Sequence, residues 1–149
     1  MRDLFTDALK TAMKSQDKRQ ISTLRLILAA IKDRDIASRS DGRDGVSDGE
    51  ILEILARMIK QRRESVITYE EAGRLELAEQ EQEEIDIITK FLPKQLGDAE
   101  IEAAVSETLA DIGAGGLKDM GRAMGALKEK YAGQMDFSKA SALVKSKLS

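Results

Sequence analysis

The sequence contains no cysteine, no histidine and no tryptophan, and it has one proline and an aromatic content of only 3%. Without cysteine there is no disulfide framework, no thiolate nucleophile and no cysteine zinc site. Without histidine the chain lacks the side chain that most often acts as a general base or binds a metal near neutral pH. We therefore expect no catalytic residue, no bound cofactor and no metal ion in this chain.

Long hydrophobic runs are also absent, since no stretch approaches the ~18 consecutive apolar residues that a membrane span requires. The first residues mix charges of both signs, which is unlike an export signal. We expect a cytoplasmic protein without membrane insertion. The apolar content of 42% is mostly aliphatic, and leucine, alanine and methionine favour helices over strands. These features predict an all-α fold.

The formal net charge of −3 conceals a strong segregation along the chain. Residues 1–69 carry 14 basic and 11 acidic side chains, residues 70–112 carry 3 and 13, and residues 113–149 carry 7 and 3. Two mildly basic ends therefore flank an acidic middle. Such a pattern is typical of solvated helix faces, but it also permits local electrostatic binding.

Helical periodicity dominates the chain, because apolar residues recur at steps of three and four along seven segments. Asp17 to Gln20 and Ser47 to Glu50 are predicted capping boxes, and Asp98 and Asp136 are expected N-caps. Gly73 is placed to end the third helix, which predicts a long antiparallel hairpin with the fourth. The predicted helices cover residues 2–14, 17–38, 47–73, 75–91, 98–112, 118–131 and 137–148.

Two segments interrupt this pattern. Arg39 to Gly45 is rich in turn-forming residues, and we expect a mobile loop there. Pro93, the only proline, cannot lie inside a helix without the loss of a hydrogen bond. We therefore predict an N-terminal helical domain over residues 1–92, a hinge over 93–97 and a C-terminal three-helix tail domain over 98–149.

Several motifs have both a functional and a structural interpretation. The acidic residues between Glu76 and Asp86 are spread over several faces of the predicted helix, which favours a solvated face over a metal site or an acid–base pair. Met120 and Met124 are expected in the core. The glycines of the C-terminal region follow a helix and lack the Walker pattern, so we expect helix caps and close helix contacts rather than a phosphate-binding loop. They stand at positions 113, 115, 116, 121 and 125.

Arg62 occupies a position of the third helix where the spacing predicts an apolar residue. An arginine at a helix seam requires a partner, and the fourth helix offers Glu81 and Glu84. We expect Arg62 or Arg63 to pair with one of these carboxylates. The alternative is a binding site formed by Lys60, Arg62 and Arg63.

The C-terminal domain supplies the other candidate contacts, because its lysines and arginine lie on short helices that could follow a phosphate backbone. The candidates in this domain are Lys118, Arg122, Lys128, Lys130 and Lys139, and Lys145 and Lys147 share their character.

Five ordered runs together resemble the YqeY family over nearly the whole chain. These runs are Ser22 to Lys32, Ile59 to Ser65, Tyr69 to Arg74, Phe91 to Leu96 and Met120 to Gly125. The family is similar to the C-terminal helical and tail domains of GatB, a subunit of the amidotransferase that converts misacylated glutamyl- or aspartyl-tRNA to the glutaminyl or asparaginyl form.

The resemblance implies a two-part helical protein and a contact with tRNA, with amidotransferase subunits or with other translation proteins. It does not imply catalysis, because GatB carries its nucleotide and metal chemistry in a separate domain that has no counterpart here. The main hypothesis is a non-catalytic tRNA-binding or amidotransferase-associated accessory module. The alternatives are a component of a glutamine-dependent carbon–nitrogen ligase that acts with other subunits, and a helical protein–protein adaptor.

Overall fold

The computed structural model describes all residues from Met1 to Ser149, and the all-α prediction is confirmed. The chain divides into two compact units, Met1–Leu92 and Pro93–Ser149. The first unit contains α1 (Arg2–Ser15), α2 (Lys18–Ser40), α3 (Asp48–Glu71) and α4 (Leu75–Thr89). The second contains α5 (Asp98–Ile112), a 3-10 turn (Leu117–Asp119), α6 (Met120–Lys130) and α7 (Phe137–Leu148).

Local hydrogen bonds explain where the helices of the first unit begin. The Asp17 carboxylate accepts the Gln20 amide at 3.1 Å, and Ser47 and Glu50 form a reciprocal capping box. Both predicted helix starts are confirmed, but the capping box at Asp17 is not, because the Gln20 side chain donates to the Asp17 carboxylate and the Asp17 amide donates to the carbonyl oxygen of Ala12. Between α2 and α3, Asp35 accepts the Val46 amide at 2.9 Å. The predicted mobility of the loop before α3 stays a prediction.

The N-cap prediction for α5 was wrong. Gly97 occupies the cap position, and its amide donates to the Glu100 carboxylate at 3.2 Å. Asp98 is instead the first helical residue. The error has a physical reason, since a carboxylate three residues into the helix satisfies the free amide and leaves Asp98 without a capping role. Asp136 caps α7 as predicted, accepting the Ser138 amide at 2.8 Å.

The core of the first unit is aliphatic, with one aromatic contact at its edge. Phe5, Leu24, Leu55 and Ile88 are fully buried, and each comes from a different helix. The rings of Phe5 and Phe91 pack with centroids 4.9 Å apart. Four helices thus share one core, in which each contributes one apolar face.

The helices α3 and α4 are joined by a short connection. They run antiparallel and pack against each other. Gly73 lies in this connection at a φ of 72°, a left-handed conformation that glycine adopts without steric cost. Beyond the core the tip of the hairpin is uncovered, and residues 67–77 contain no buried side chain.

The second unit has a smaller core of its own, built from Ile101, Val105, Leu127 and Val144. Met120 and Met124 are half-buried and pack against this core, which agrees with their predicted role. The segment after Pro93 is tied to this unit, because the Leu96 amide donates to the carbonyl oxygen of Gln134 at 2.7 Å and the Gln95 amide group donates to that of Gly133 at 2.5 Å. The hinge over 93–97 stays a prediction, and limited proteolysis would test it.

Candidate nucleic-acid interface

The helix α6 has one buried face and one open face. Ala123 and Leu127 point into the core of the second unit. The residues on the other side are exposed, and they lie one helical turn apart. This side, here called the open α6 face, consists of Gly121, Arg122, Gly125, Lys128 and Glu129 of α6, together with Lys118 of the 3-10 turn that precedes the helix.

Gly121 and Gly125 leave part of the helix backbone bare. A Cβ built at either position has no neighbouring atom within 4 Å, and neither residue has a positive φ. The expectation of caps and close helix contacts was therefore wrong for these two glycines, because no other element of the second unit covers this side of α6. It holds for Gly113, which ends α5 in a left-handed cap at φ 65°.

The basic side chains near this face differ in how far they are engaged. Arg122 donates to the carbonyl oxygen of Ile112 at 2.6 Å, a free acceptor at the end of α5, and lies 3.8 Å from Asp119. Asp119 in turn accepts the Gly115 amide at 2.8 Å. Arg122 therefore holds the turn between α5 and α6 together, although more than half of its side chain is exposed.

Two other candidate lysines are already paired within the second unit. Lys130 lies 3.9 Å from Glu107 and 5.4 Å from the centre of the Tyr131 ring, and Lys139 lies 3.2 Å from Asp98. By contrast, Lys118 and Lys128 have no carboxylate within 4.0 Å. A phosphate would compete with an acidic partner at Lys130 and Lys139 but not at the two lysines of the open α6 face.

The second unit as a whole is electrically neutral. Residues 93–149 contain 8 basic and 8 acidic side chains, because the acids of α5 belong to the same unit as the lysines that follow it. The basic character seen along the sequence is thus confined to the part after α5. A partner with negative charge would be attracted by local groups and not by the net charge of the unit.

The candidate residues of the first unit also include both paired and unpaired side chains. The Arg62 guanidinium donates to Glu84 at 2.9 Å and to the carbonyl oxygen of Met58 at 3.2 Å, and the side chains of Arg62 and Glu84 are each only 14% exposed. This confirms the predicted pairing across the hairpin. Lys60 and Arg63 are exposed and have no ion pair within 4.0 Å.

Arg19 of α2 extends this network in a way that the sequence did not indicate. Its guanidinium lies 3.1 Å from Glu83 and 3.8 Å from Glu84. Burial and the charge of Glu84 raise the pKa of Glu81, and Arg62 and Arg19 oppose this rise. The network joins α2 to the hairpin and has the geometry of a structural cluster. The acids of α4 do not gather into a group of three or more that could hold a metal ion.

The chain is all-α and has two units. The first contains an ion-pair network and the second contains an open helix face. The chain belongs to the YqeY family, since the family described as Yqey-like protein matches residues 2–148. None of its helices combines the length and the apolar character needed to cross a membrane.

Individual relatives come from yeasts and other fungi. The chain is 31% identical over 106 residues to "Altered inheritance of mitochondria protein 41, mitochondrial" of Lachancea thermotolerans, a match that covers 70% of this chain and 55% of that protein. The protein of the same name from Eremothecium gossypii is 32% identical, over 71% of this chain and 57% of its own length. An uncharacterised protein of Schizosaccharomyces pombe is 34% identical, over 58% of this chain and 67% of its own length.

The chain thus spans little more than half the length of the two relatives that carry the mitochondrial name. Those names describe the relatives and assign no compartment to this chain. Its cytoplasmic location stays a prediction.

Proposed function

We propose that this protein is a non-catalytic accessory module that binds tRNA through the open α6 face. The family membership supports a module of the GatB/YqeY type. The observation that carries the proposal is the combination, on one exposed helix face, of unpaired lysines and bare backbone.

Gly125 is unfavourable for the fold itself. A glycine in the interior of a helix costs about 1 kcal/mol relative to alanine. Gly125 lies well inside α6, and the surrounding space would accept a methyl group without contact. Gly125 therefore disfavours the helix, and no steric crowding within the fold requires a glycine there. We attribute it to a partner that approaches the backbone closely, because only glycine leaves the backbone uncovered.

Unpaired cations on both sides of the bare backbone indicate the chemistry of that partner. Lys118 and Lys128 flank the glycines and have no competing carboxylate within 4.0 Å. Phosphate groups are the natural ligands of such lysines, and a regular backbone of phosphates suits a helix face without deep pockets. Tyr131 and Phe137 are half-buried against the core, so few aromatic rings are available to stack on bases.

Binding should therefore be electrostatic and weak, with a dissociation constant that is micromolar or higher at physiological salt. Fluorescence anisotropy with labelled tRNA at several salt concentrations tests this. Each phosphate neutralised on a duplex contributes about −0.9 to the slope of log affinity against log salt. The variant Lys118→Ala/Lys128→Ala should lower the affinity and reduce the magnitude of the slope by about 2.

A matched control removes the same charge from paired residues. Lys130→Ala/Lys139→Ala deletes two lysines from the same unit, but each of them already has a carboxylate partner. This variant should bind tRNA more tightly than Lys118→Ala/Lys128→Ala. If the two double variants bind equally, net charge governs the interaction and the open α6 face is not its site.

Two other outcomes would replace the proposal. A parent protein that fails to bind tRNA even at low salt would favour a helical protein–protein adaptor. Glutamine-dependent amide formation on misacylated tRNA that requires this chain together with purified amidotransferase subunits would favour a ligase component. If the chain binds tRNA and also stimulates this reaction without being required for it, it is an amidotransferase-associated module, and the proposal stands.

A further inference from the structure

An open groove of about 730 Å³ lies in the first unit, where α1 ends and α2 begins. Its apolar lining comes from Met13, Ile21 and Leu26, and Met13 and Leu26 are 50% and 45% exposed. Lys18 and Arg25 also line it, and no acidic side chain does. The groove therefore combines an uncovered apolar floor with positive charge.

The two cations of the groove are not used within the chain. Lys18 and Arg25 are exposed and have no carboxylate within 4.0 Å, whereas their neighbour Arg19 is engaged by Glu83 and Glu84. A ligand that covers the floor would also meet two free positive charges. Complementarity requires that this ligand be apolar and acidic at once.

The same unit exposes a surface with these properties at the tip of the α3–α4 hairpin. Residues 67–77 contain no buried side chain, and Ile67 and Leu75 are 55% and 65% exposed. The tip carries three glutamates and one arginine, and that arginine lies 3.6 Å from one of the glutamates. The two glutamates that end α3, Glu70 and Glu71, have no cationic partner within 4.0 Å.

We propose that the hairpin tip of one copy docks into the α1–α2 groove of a second copy. Ile67 or Leu75 covers the apolar floor, and Glu70 and Glu71 face Lys18 and Arg25. Both halves of this contact belong to the same unit, and both are uncovered in a single copy. A twofold axis would let each copy supply one tip and one groove, so that a small contact is made twice.

Each contact would be made by a few exposed side chains, so we expect the association to be weak and to depend on salt. Sedimentation velocity of the full chain tests it over protein concentrations from about 5 to about 500 μM, a range that brackets weak dissociation constants. At low salt a dimer should appear as the concentration rises, and added salt should weaken it. A chain that stays monomeric throughout at low salt overturns the proposal.

Charge reversal on each side identifies the surfaces. The variants Lys18→Glu/Arg25→Glu and Glu70→Lys/Glu71→Lys should each weaken dimerisation by at least about tenfold, a change of about 1.4 kcal/mol. A mixture of the two should form a heterodimer, because the reversed tip of one then meets the reversed groove of the other. Loss of dimerisation in both variants without recovery in the mixture rules out the tip as the occupant.

A matched control separates the groove from net charge. Lys10→Glu/Lys32→Glu makes the same charge change on α1 and α2, at exposed residues that do not line the groove. This control should dimerise at least tenfold more tightly than the groove variant. Leu26→Ser removes an exposed apolar side chain of the floor and should weaken the dimer without change in helicity. A dimer that survives both groove variants forms through another surface, and the proposal is then wrong.

Discussion

The bare backbone of α6 makes an unusual prediction, in which one substitution raises stability and lowers function. Gly125→Ala places a methyl group where no atom lies within 4 Å, so the gain in helix propensity is not offset by a clash. Alanine is favoured over glycine in a helix interior by about 0.8–1.0 kcal/mol. For a domain of about the size of the second unit, 1 kcal/mol of added stability raises the melting temperature by about 4–8 °C. Gly121 lies in the first turn of α6, where the gain should be smaller.

The same methyl group should weaken tRNA binding if a phosphate backbone approaches α6 at this point. We expect the affinity for tRNA to fall by about threefold to tenfold, equivalent to ~0.7–1.4 kcal/mol. The loss is limited because the methyl group increases the distance between the phosphate and the helix but removes no charged group. No charge is removed, so the slope of log affinity against log salt should stay the same. An affinity that falls at constant slope distinguishes loss of close approach from loss of charge.

Thermal unfolding followed by far-UV circular dichroism and tRNA anisotropy on the same preparation measure both effects. Ser106→Ala, at an exposed position of α5, is the control, because it raises helix propensity by about 0.5 kcal/mol in the same unit and leaves the open α6 face intact. This variant should gain stability and keep its affinity. The reasoning is refuted if Gly125→Ala binds as well as the parent, and the assignment of an open face is refuted if it melts lower.

Three further predictions concern the first unit. Arg62→Ala should destabilise it by about 1–3 kcal/mol in urea unfolding, because Glu84 at 14% exposure loses its main partner, and Arg62→Met should cost less because the apolar stem is retained. The fold raises the pKa of Glu81 and so disfavours its ionised form. Glu81→Gln should therefore stabilise at pH 7, with a gain that shrinks as the pH falls through the raised pKa and is lost by about pH 4, where Glu81 is protonated in both the folded and the unfolded state. A gain that persists at low pH would contradict this cause. The Arg2 guanidinium holds the pKa of Asp35 well below its usual value, so this pair stabilises the fold above about pH 4 and its contribution is lost as the pH falls further. Asp35→Asn should flatten that part of the acid-unfolding profile, and an unchanged profile would exclude the pair as its source.

The features that could be predicted from the sequence are those set by a local motif or by a tight turn between consecutive helices. The Ser47–Glu50 capping box involves residues three positions apart, so its geometry follows from the start of the helix alone. The pair between Arg62 and Glu84 could be predicted because the turn at Gly73 determines which residues of the hairpin lie opposite each other. Both results depend on local register and not on the packing of distant elements.

The features that were missed depend on contacts between distant parts of the chain. Spacing shows that Gly121 and Gly125 share one side of α6, but whether another helix covers that side is decided by the packing of the whole unit. Lys130 pairs with α5 across the connection of residues 113–119, which is longer than the turn at Gly73 and does not fix the register, and the partner of Lys139 is 41 residues away along the chain. No local pattern indicates which lysines of a helical domain are paired and which are free.

Pairing changes what the charge distribution means for function. If all seven cations of residues 113–149 were free, a surplus of 4 positive charges would attract any polyanion without preference for one surface. The structure instead pairs Lys130, Lys139 and Lys147 with acids of α5 and leaves a neutral unit. In a neutral unit long-range attraction is weak, so a complex depends on close contacts at the few cations that remain unpaired. In the proposed complex with tRNA those contacts require that phosphates come near the helix, and the bare backbone at Gly125 would permit this approach.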